Sequence, residues 1–125
     1  MGEIFVNEYR KFVGRPYEPP HGCLRLVQQI FAECYGVDLS ALSAELTGDP
    51  PGIRAIHECL MRHTVRVDDP REGDIAWIRA EPWHVGVVIE PPEMIHSYAP
   101  GSTSVCERYT THDVRGFYRY RGFVA

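Results

Sequence analysis

Hydrophobic positions in the first half of the chain recur with the spacing of amphipathic helices. A first helix is predicted over residues 3–13, where the apolar stripe would consist of Ile4, Phe5, Tyr9, Phe12 and Val13. Gly14 and Pro16 would end this helix. A second helix is predicted from Gly22 to Tyr35, with Gly36 as its stop. Its inward-facing residues would be Leu24, Val27, Ile30, Phe31 and Cys34.

A third helix is predicted from Ile53 to about His63, with an inward face made by Ile56, Leu60 and Met61. Before it, residues 38–46 predict a turn or a short helix, and residues 47–52 (TGDPPG) predict a loop.

After Pro70 the pattern changes to short segments that are β-branched or aromatic and often alternate with polar residues. The predicted strands are residues 74–79, 84–90, 93–98, 104–109 and 116–123. Phe117, Tyr118 and Tyr120 in the last strand are interpreted as packing residues rather than a platform for a ligand. Helices followed by strands indicate an α+β fold, with N-terminal helices packed on an antiparallel sheet of five to six strands.

Composition narrows the class of protein. A chain of 125 residues with 44% hydrophobic content favours a single globular domain over residues 1–125. Its net charge of −4, with acids and bases interspersed, does not favour a nucleic-acid partner or a polybasic membrane anchor. No apolar run is long enough to predict a membrane span.

The cysteines and the N-terminal residues indicate the cellular compartment in which the protein is made. The first residues, MGEIFVNEYRKFVG, lack the basic start and apolar centre of a secretory signal, so we expect synthesis in a reducing cytoplasm. The four cysteines, Cys23, Cys34, Cys59 and Cys106, form no CxxC pair, and a disulfide framework is not expected.

Cys23 has an unusual position for a structural cysteine, because it lies directly behind Gly22 on the first turn of a predicted helix. Unpaired N–H groups at a helix N-terminus favour a thiolate, which is the nucleophilic form of cysteine, and also favour an oxyanion on an attacked carbonyl. Gly22 would let a substrate approach the backbone. A small hydrophobic residue on the core face of the helix is an equally good interpretation.

A nucleophilic cysteine needs a base, and His84 is the best candidate because it opens a predicted strand in which Gly86 leaves room beside it. His96 on the next strand would orient it. His57 and His63 would lie on the surface, His21 in a proline–glycine corner and His112 in a polar turn.

The hairpin that joins the two candidate histidines decides whether they can meet. A two-residue turn at Pro91–Pro92 would place His96 opposite residue 87, and His84 would then point to the other face. A bulge, a strong twist or an odd-length loop is needed for contact. A zinc site made by Cys23, His84 and His96 is an alternative, but with only His21 as a fourth ligand we expect no metal and no cofactor.

Taken in order, several segments resemble the NlpC/P60 cysteine peptidases. These are Gly14-Arg15-Pro16-Tyr17, Cys23 with Leu26-Val27, Glu72-Gly73-Asp74, His84-Val85-Gly86, and His96 twelve residues on. The resemblance implies a papain-like α+β fold and hydrolysis of amide bonds in the peptide stems of peptidoglycan. It implies that Cys23 is the nucleophile, His84 the base and His96 the orienting residue. Tyr17 would line the substrate site. Gly22, where the family has aspartate, would be part of the same site. Arg25, where the family has a small residue, would either hold a substrate carboxylate or crowd the cleft.

The resemblance extends to NlpC/P60 domains of phage tail-tip proteins and gene-transfer-agent peptidases. It therefore implies a virion or envelope location, with other phage tail proteins as partners. A contact-delivered toxin and a cytoplasmic amidase are alternatives for the setting. A catalytically inactive structural tail component with the same fold is the alternative for the function.

Overall fold

The computed structural model describes residues 9–18, 22–40, 53–80, 83–98 and 101–124. Within these ranges two α-helices pack on a six-stranded antiparallel sheet, which confirms the predicted α+β fold. The helices are α1 (Gly22–Ile30) and α2 (Ile53–His63). The strands are β1 (Thr64–Val67), β2 (Ile75–Arg79), β3 (His84–Val88), β4 (Glu93–His96), β5 (Val105–Arg108) and β6 (Asp113–Tyr120), in the spatial order β1-β6-β2-β3-β4-β5.

The predicted second helix is confirmed as α1 followed by a π-helical turn, Phe31–Tyr35. Gly36 ends it with a φ of 66°, and its N–H bonds to the carbonyl of Ala32, as expected for a glycine stop. Four of the five predicted inward residues are buried, and Cys34 is half-buried.

The other two predicted helices agree only in part. Within the described part of the first helix, Tyr9 precedes a short 3-10 turn, Arg10–Phe12. Tyr9 and Phe12 are buried as predicted, but Val13 is 43% exposed because the backbone is already extended there. Ile4, Phe5, residues 41–46 of the predicted turn or short helix, and the loop at 47–52 lie outside the described residues.

Helix α2 has the predicted bounds, but one inward position is wrong. Ile56 and Leu60 are buried, whereas Met61 is 53% exposed and Cys59 takes the inward place. Positions three and four residues after Ile56 share its face of the helix, and the position five residues on does not.

The sheet contains one strand that the pattern did not predict. Strand β1 follows α2 without a turn signal and pairs with the end of β6, Thr64 opposite Tyr120. Strand β6 also begins earlier than predicted, at Asp113, and ends at Tyr120 before a 3-10 turn. Tyr118 is buried in the main core cluster, and Tyr120 packs against that cluster. Phe117 packs against a second, smaller cluster of buried residues. All three therefore agree with a packing role.

The two faces of the sheet carry different residues. Val85, Val87 and Ile95 face the helices and share the main core cluster with α1 and α2. His84, Gly86 and His96 alternate with them and therefore lie on the other face, where a smaller cluster includes Ala76, Ile78 and Met94. None of the described helices is long and apolar enough to span a bilayer.

A buried ion pair holds the turn that leads into β2. Gly73 adopts a φ of 88°, which favours glycine, and donates its N–H to the carbonyl of Val88. Asp74, only 1% exposed, accepts hydrogen bonds from Arg119 Nε (2.9 Å) and Nη2 (2.8 Å) and from the N–H of Arg71 (2.7 Å). The Asp74 hydrogen bonds raise the pKa of Arg119.

Replacing Arg119 by methionine is expected to lower the free energy of unfolding by about 3 kcal/mol, because it leaves the Asp74 carboxylate buried without its cation. Urea unfolding followed by circular dichroism measures the change. Arg115→Met on the same strand is the control, since its ion pair with Asp113 (3.1 Å) is exposed and is expected to matter by less than about 1 kcal/mol. Equal losses in the two variants would contradict the prediction.

Candidate active site

The hairpin between β3 and β4 brings the two predicted histidines onto one face of the sheet. Gly86 lies opposite His96 and Val87 opposite Ile95, and the N–H of Ile89 bonds to the carbonyl of Glu93. Residues 90–92 therefore form a three-residue loop rather than the two-residue turn considered above. The odd length moves the register by one residue, and His84 and His96 become diagonal neighbours.

Gly86 makes room for the second histidine. A Cβ built at residue 86 would lie 3.0 Å from the Cβ of His96 and 3.1 Å from the carbonyl oxygen of Ile95. A larger residue would therefore push His96 away from its position in the hairpin.

His84, His96 and Glu107 form a chain of hydrogen bonds across three strands, which we call the His–His–Glu relay. His84 Nε2 lies 2.9 Å from His96 Nδ1, and the two ring planes are 13° apart. His96 Nε2 lies 2.8 Å from Glu107 Oε1. Both histidines are 0% exposed, so neither ring has competing contact with bulk water.

The carboxylate at the end of the relay determines where the protons lie. An ionised Glu107 can only accept, so His96 donates from Nε2. In a neutral His96 the other nitrogen, Nδ1, is then an acceptor, and His84 must donate from Nε2. A neutral His84 therefore carries its basic lone pair on Nδ1.

The charge states expected from the surroundings agree with this assignment. Burial lowers the pKa of His96 and outweighs the hydrogen bond to Glu107, which favours the neutral imidazole. Burial works to raise the pKa of Glu107, but the hydrogen bond and charge of His96 and the charge of His112 lower it overall. A neutral imidazole beside an ionised carboxylate is the state that the relay requires near pH 7.

Two more side chains surround the Glu107 end of the relay. Tyr98 donates from its hydroxyl to Glu107 Oε1 at 3.3 Å, and its ring centroid lies 4.6 Å from that of each relay histidine. Burial and the Glu107 carboxylate raise the pKa of Tyr98, which keeps this phenol a donor. His112 packs edge-on against His96, with ring centroids 4.9 Å apart.

Cys23 is the second residue of α1 and is buried, at 1% exposure. It shares the main core cluster with Val85, the neighbour of His84 in β3. Gly22 before it is pressed against Tyr17: a Cβ at residue 22 would lie 2.5 Å from the Cγ of the Tyr17 ring. The Tyr17 ring thus fills the space beside the Gly22 α-carbon, and only glycine fits there.

A small cleft lies between the start of α1 and the end of the sheet where β3 begins. Gly22 and Arg25 line it together with Ser97, which directly follows His96 at the end of β4. Since β4 runs antiparallel to β3, the end of β4 lies beside His84. Ser97 Oγ is buried and has no hydrogen-bond partner among the described residues.

Three residues of this region were not predicted as site residues: Ser97, Glu107 and His112. Glu107 lies in the strand predicted over residues 104–109, but the alternation of half-buried Val105 and Glu107 with exposed Cys106 and Arg108 is visible only in the structure. Pairing of Met94 with Glu107 then sets the carboxylate diagonal to His96. His112 was interpreted as a polar turn residue, but its side chain contacts His96 and Glu107.

The predicted zinc alternative involved other residues than those that the fold brings together. His84 and His96 bind each other through ring nitrogens instead of converging on a common point with Cys23. Among the described residues, the group with metal-binding spacing is His96, Glu107 and His112. His21, the suggested fourth ligand, lies outside the described residues.

Comparison with known proteins supports the fold. No protein-family model matches the chain, and a search of curated proteins found no match. Among solved structures, it is similar to the crystal structure of the NlpC/p60 domain of peptidoglycan hydrolase SagA, with a TM-score of 0.59 and 16% sequence identity. The superposition covers 94% of this chain and 97% of that one. This chain therefore shares the fold of an NlpC/p60 domain over nearly its whole length.

Proposed function

We propose that this protein is a cysteine peptidase that hydrolyses amide bonds in the peptide stems of peptidoglycan. The observation that carries the proposal is the His–His–Glu relay, located at the end of the sheet where the helix that bears Cys23 begins. A relay that leaves its basic lone pair on His84 Nδ1 is what a thiol nucleophile requires. The fold shared with an NlpC/p60 domain of a peptidoglycan hydrolase supports the same function.

In the proposed mechanism, His84, as the first residue of β3, would reach past the end of the sheet to the start of α1. There its Nδ1 takes the proton of the Cys23 thiol, and the thiolate attacks the amide carbonyl. The backbone N–H of Cys23, on the first turn of α1, would stabilise the oxyanion of the tetrahedral intermediate. The C–N bond breaks as His84 gives the proton to the leaving amine, and a thioester remains. Water, deprotonated by His84, then attacks the thioester carbonyl, the C–S bond breaks, and the carboxylate product leaves. The proton on His84 returns to the sulfur and regenerates the Cys23 thiol.

The cleft beside Gly22 is the proposed substrate site. Arg25 would hold a carboxylate of the stem peptide, because guanidinium groups bind carboxylates with two parallel hydrogen bonds. The buried Ser97 hydroxyl lines the same cleft and would bind a polar group of the peptide backbone. Tyr17 would form the wall that presses against Gly22.

The test is incubation of the purified protein with muropeptides and identification of the products by mass spectrometry. The proposal expects a new amine and a new carboxylate at one stem-peptide bond. No product from either intact sacculi or soluble muropeptides, with a folded protein, would overturn it.

A second candidate function is a structural component with the same fold and no activity. It is favoured by the burial of Cys23 within an apolar cluster. The reactivity of the thiol discriminates the two. An activated Cys23 should be alkylated by iodoacetamide at pH 7 much faster than Cys106, whose pKa is raised to about 11 by burial of the thiol and by Glu93.

For the setting, we propose delivery by a phage or phage-like tail, on the ground of the sequence resemblance to tail-tip domains. Detection of the protein in purified particles by mass spectrometry tests this setting independently of catalysis. Its presence only in the cell lysate would favour the cytoplasmic amidase instead.

Replacing Glu107 by glutamine is expected to lower kcat by about 10²-fold or more with little change in KM. The neutral amide can donate to His96 and thereby reverse the proton positions in both histidines. Steady-state kinetics on a muropeptide measures the effect. Glu90→Gln, in the exposed hairpin loop, is the matched control and should behave as wild type. A rise in KM alone would assign Glu107 to substrate binding instead.

A further inference from the structure

A second group of ligating side chains shares one end of the relay. His96, Glu107 and His112 each offer a ligand atom, and these atoms all lie within 4.8 Å of one another. Glu107 Oε1 stands between the two rings, 2.8 Å from His96 Nε2 and 3.3 Å from His112 Nε2. Two imidazoles and a carboxylate are a ligand set that suits Zn²⁺ and leaves a fourth position for water.

The third member of this group points to a ligand. His112 Nε2 is buried and lies 3.3 Å from Glu107 Oε1, yet it makes no hydrogen bond to any of the described residues. A buried ring nitrogen without a hydrogen bond calls for an explanation, and a metal ion bound by His112 together with Glu107 would provide one.

The site is open to solvent on one side. The Glu107 side chain is 39% exposed and that of His112 is 14% exposed, whereas His96 is fully buried behind them. An ion would therefore reach the carboxylate and His112 first and His96 last. Zinc binds nitrogen and oxygen ligands at about 2.0–2.2 Å, so the ligand atoms need to be about 3–4 Å apart, close to their present spacing.

We propose that His96, Glu107 and His112 form a Zn²⁺ site, and that zinc binding switches the peptidase off. The inhibitory part rests on the proposed function, whereas the binding part does not. The site shares His96 and Glu107 with the relay, so a bound ion and a working relay exclude each other.

The exclusion follows from the positions of the protons. Zinc would bind the lone pair of His96 Nε2, and the proton of this ring would then have to be on Nδ1. His96 Nδ1 now donates to His84 Nε2, which becomes the acceptor across the same 2.9 Å contact. The proton of a neutral His84 is thereby moved to Nδ1, the atom that has to accept the thiol proton. The base is blocked without any movement of the backbone.

Binding is tested on the Cys23→Ala protein, which lacks the proposed nucleophile as a competing zinc ligand. Isothermal titration with Zn²⁺ should give one site per chain, and His112→Ala in the same background should weaken binding by about tenfold or more. Glu107→Gln in this background should also weaken zinc binding. Two independent variants keep the test valid if one of them does not fold. His57→Ala, an exposed histidine on α2, should leave the affinity unchanged. Equal affinity in the His112 and His57 variants would overturn the site.

The proton positions are tested separately by the ¹⁵N chemical shifts of the histidine rings. Without metal, His84 and His96 should both show the Nε2–H form, and one equivalent of Zn²⁺ should convert both to the Nδ1–H form. If the His84 ring keeps its Nε2–H form while zinc is bound, the proposed switch is wrong, and only the zinc-binding site remains.

The third test measures whether zinc inhibits the enzyme activity. Zinc should inhibit hydrolysis of muropeptides, and in His112→Ala the inhibitory concentration should rise about as much as the dissociation constant does. Inhibition of equal strength in this variant would mean that zinc acts on the Cys23 thiolate, and the switch would be wrong. If the wild type shows no hydrolysis, the proposed function fails. The calorimetric titration and the ¹⁵N shifts of the histidine rings still test whether zinc binds at this site.

Discussion

The Cys23→Ala variant is expected to lose at least about 10⁴-fold in kcat on muropeptides, because it lacks the sulfur that forms the thioester in the proposed mechanism. The fold should persist, since alanine occupies less space than cysteine on the buried face of α1. Hydrolysis is followed by mass spectrometry of the products under single-turnover conditions. Intact-mass analysis should also show a covalent acyl adduct on the wild type that the variant lacks.

Loss of a buried sulfur can also destabilise the protein, and the control must match this effect. Cys59→Ala removes a sulfur of equal burial (1% exposed) from α2, in the same core cluster. It is expected to retain activity while it loses a comparable free energy of unfolding, about 1 kcal/mol. If Cys59→Ala is as inactive as Cys23→Ala, the loss comes from the core and the nucleophile assignment fails.

The His84→Ala variant is expected to lose about 10³-fold in kcat at pH 7, which is the size of a general acid–base contribution. The residual rate should rise with pH, because the Cys23 thiolate then forms without a base. In the wild type the relay supplies the base and the rate should already have levelled off. Kinetics between pH 6 and 10 on a muropeptide give both profiles.

An ester substrate separates the two roles of His84. An activated ester has a leaving group that needs no proton, so only the deprotonation of Cys23 is tested. His84→Ala should then recover most of its loss at high pH. Persistent inactivity on the ester at high pH, in a variant that unfolds like the wild type, would mean that His84 maintains the structure instead of acting as the base.

The sequence predicted the elements that follow from short-range patterns. The periodicity of the apolar residues located α1, α2 and five strands, and Gly36 correctly marked a helix end. Predictions failed where the pattern was short or polar. Strand β1 is four residues long and has two exposed positions in the middle, so it resembles a loop until β6 pairs with it. Met61 was predicted inward on hydrophobicity alone, although its place on the helix turns it outward.

The candidate site divides in the same way. Cys23, His84 and His96 were predicted as site residues from their positions at the start of a helix and on strands. Whether the two histidines meet depended on the length of one hairpin loop, and both an even and an odd loop were compatible with the Pro91–Pro92 pair. Glu107 and His112 were missed because His96, which both contact, is more than ten residues away. The pairing of β4 with β5 brings Glu107 to His96, and the 3-10 turn after β5 is followed by His112, whose ring packs against that of His96.

The sequence by itself therefore determined the fold class, most of the elements and the residue types available for chemistry, since these depend on local spacing and side-chain properties. Only the tertiary structure decided the register of the hairpin, the proton positions in the relay and the cluster around Glu107. Register is a long-range property, because a shift of one residue moves every side chain of a strand to the other face at little local cost.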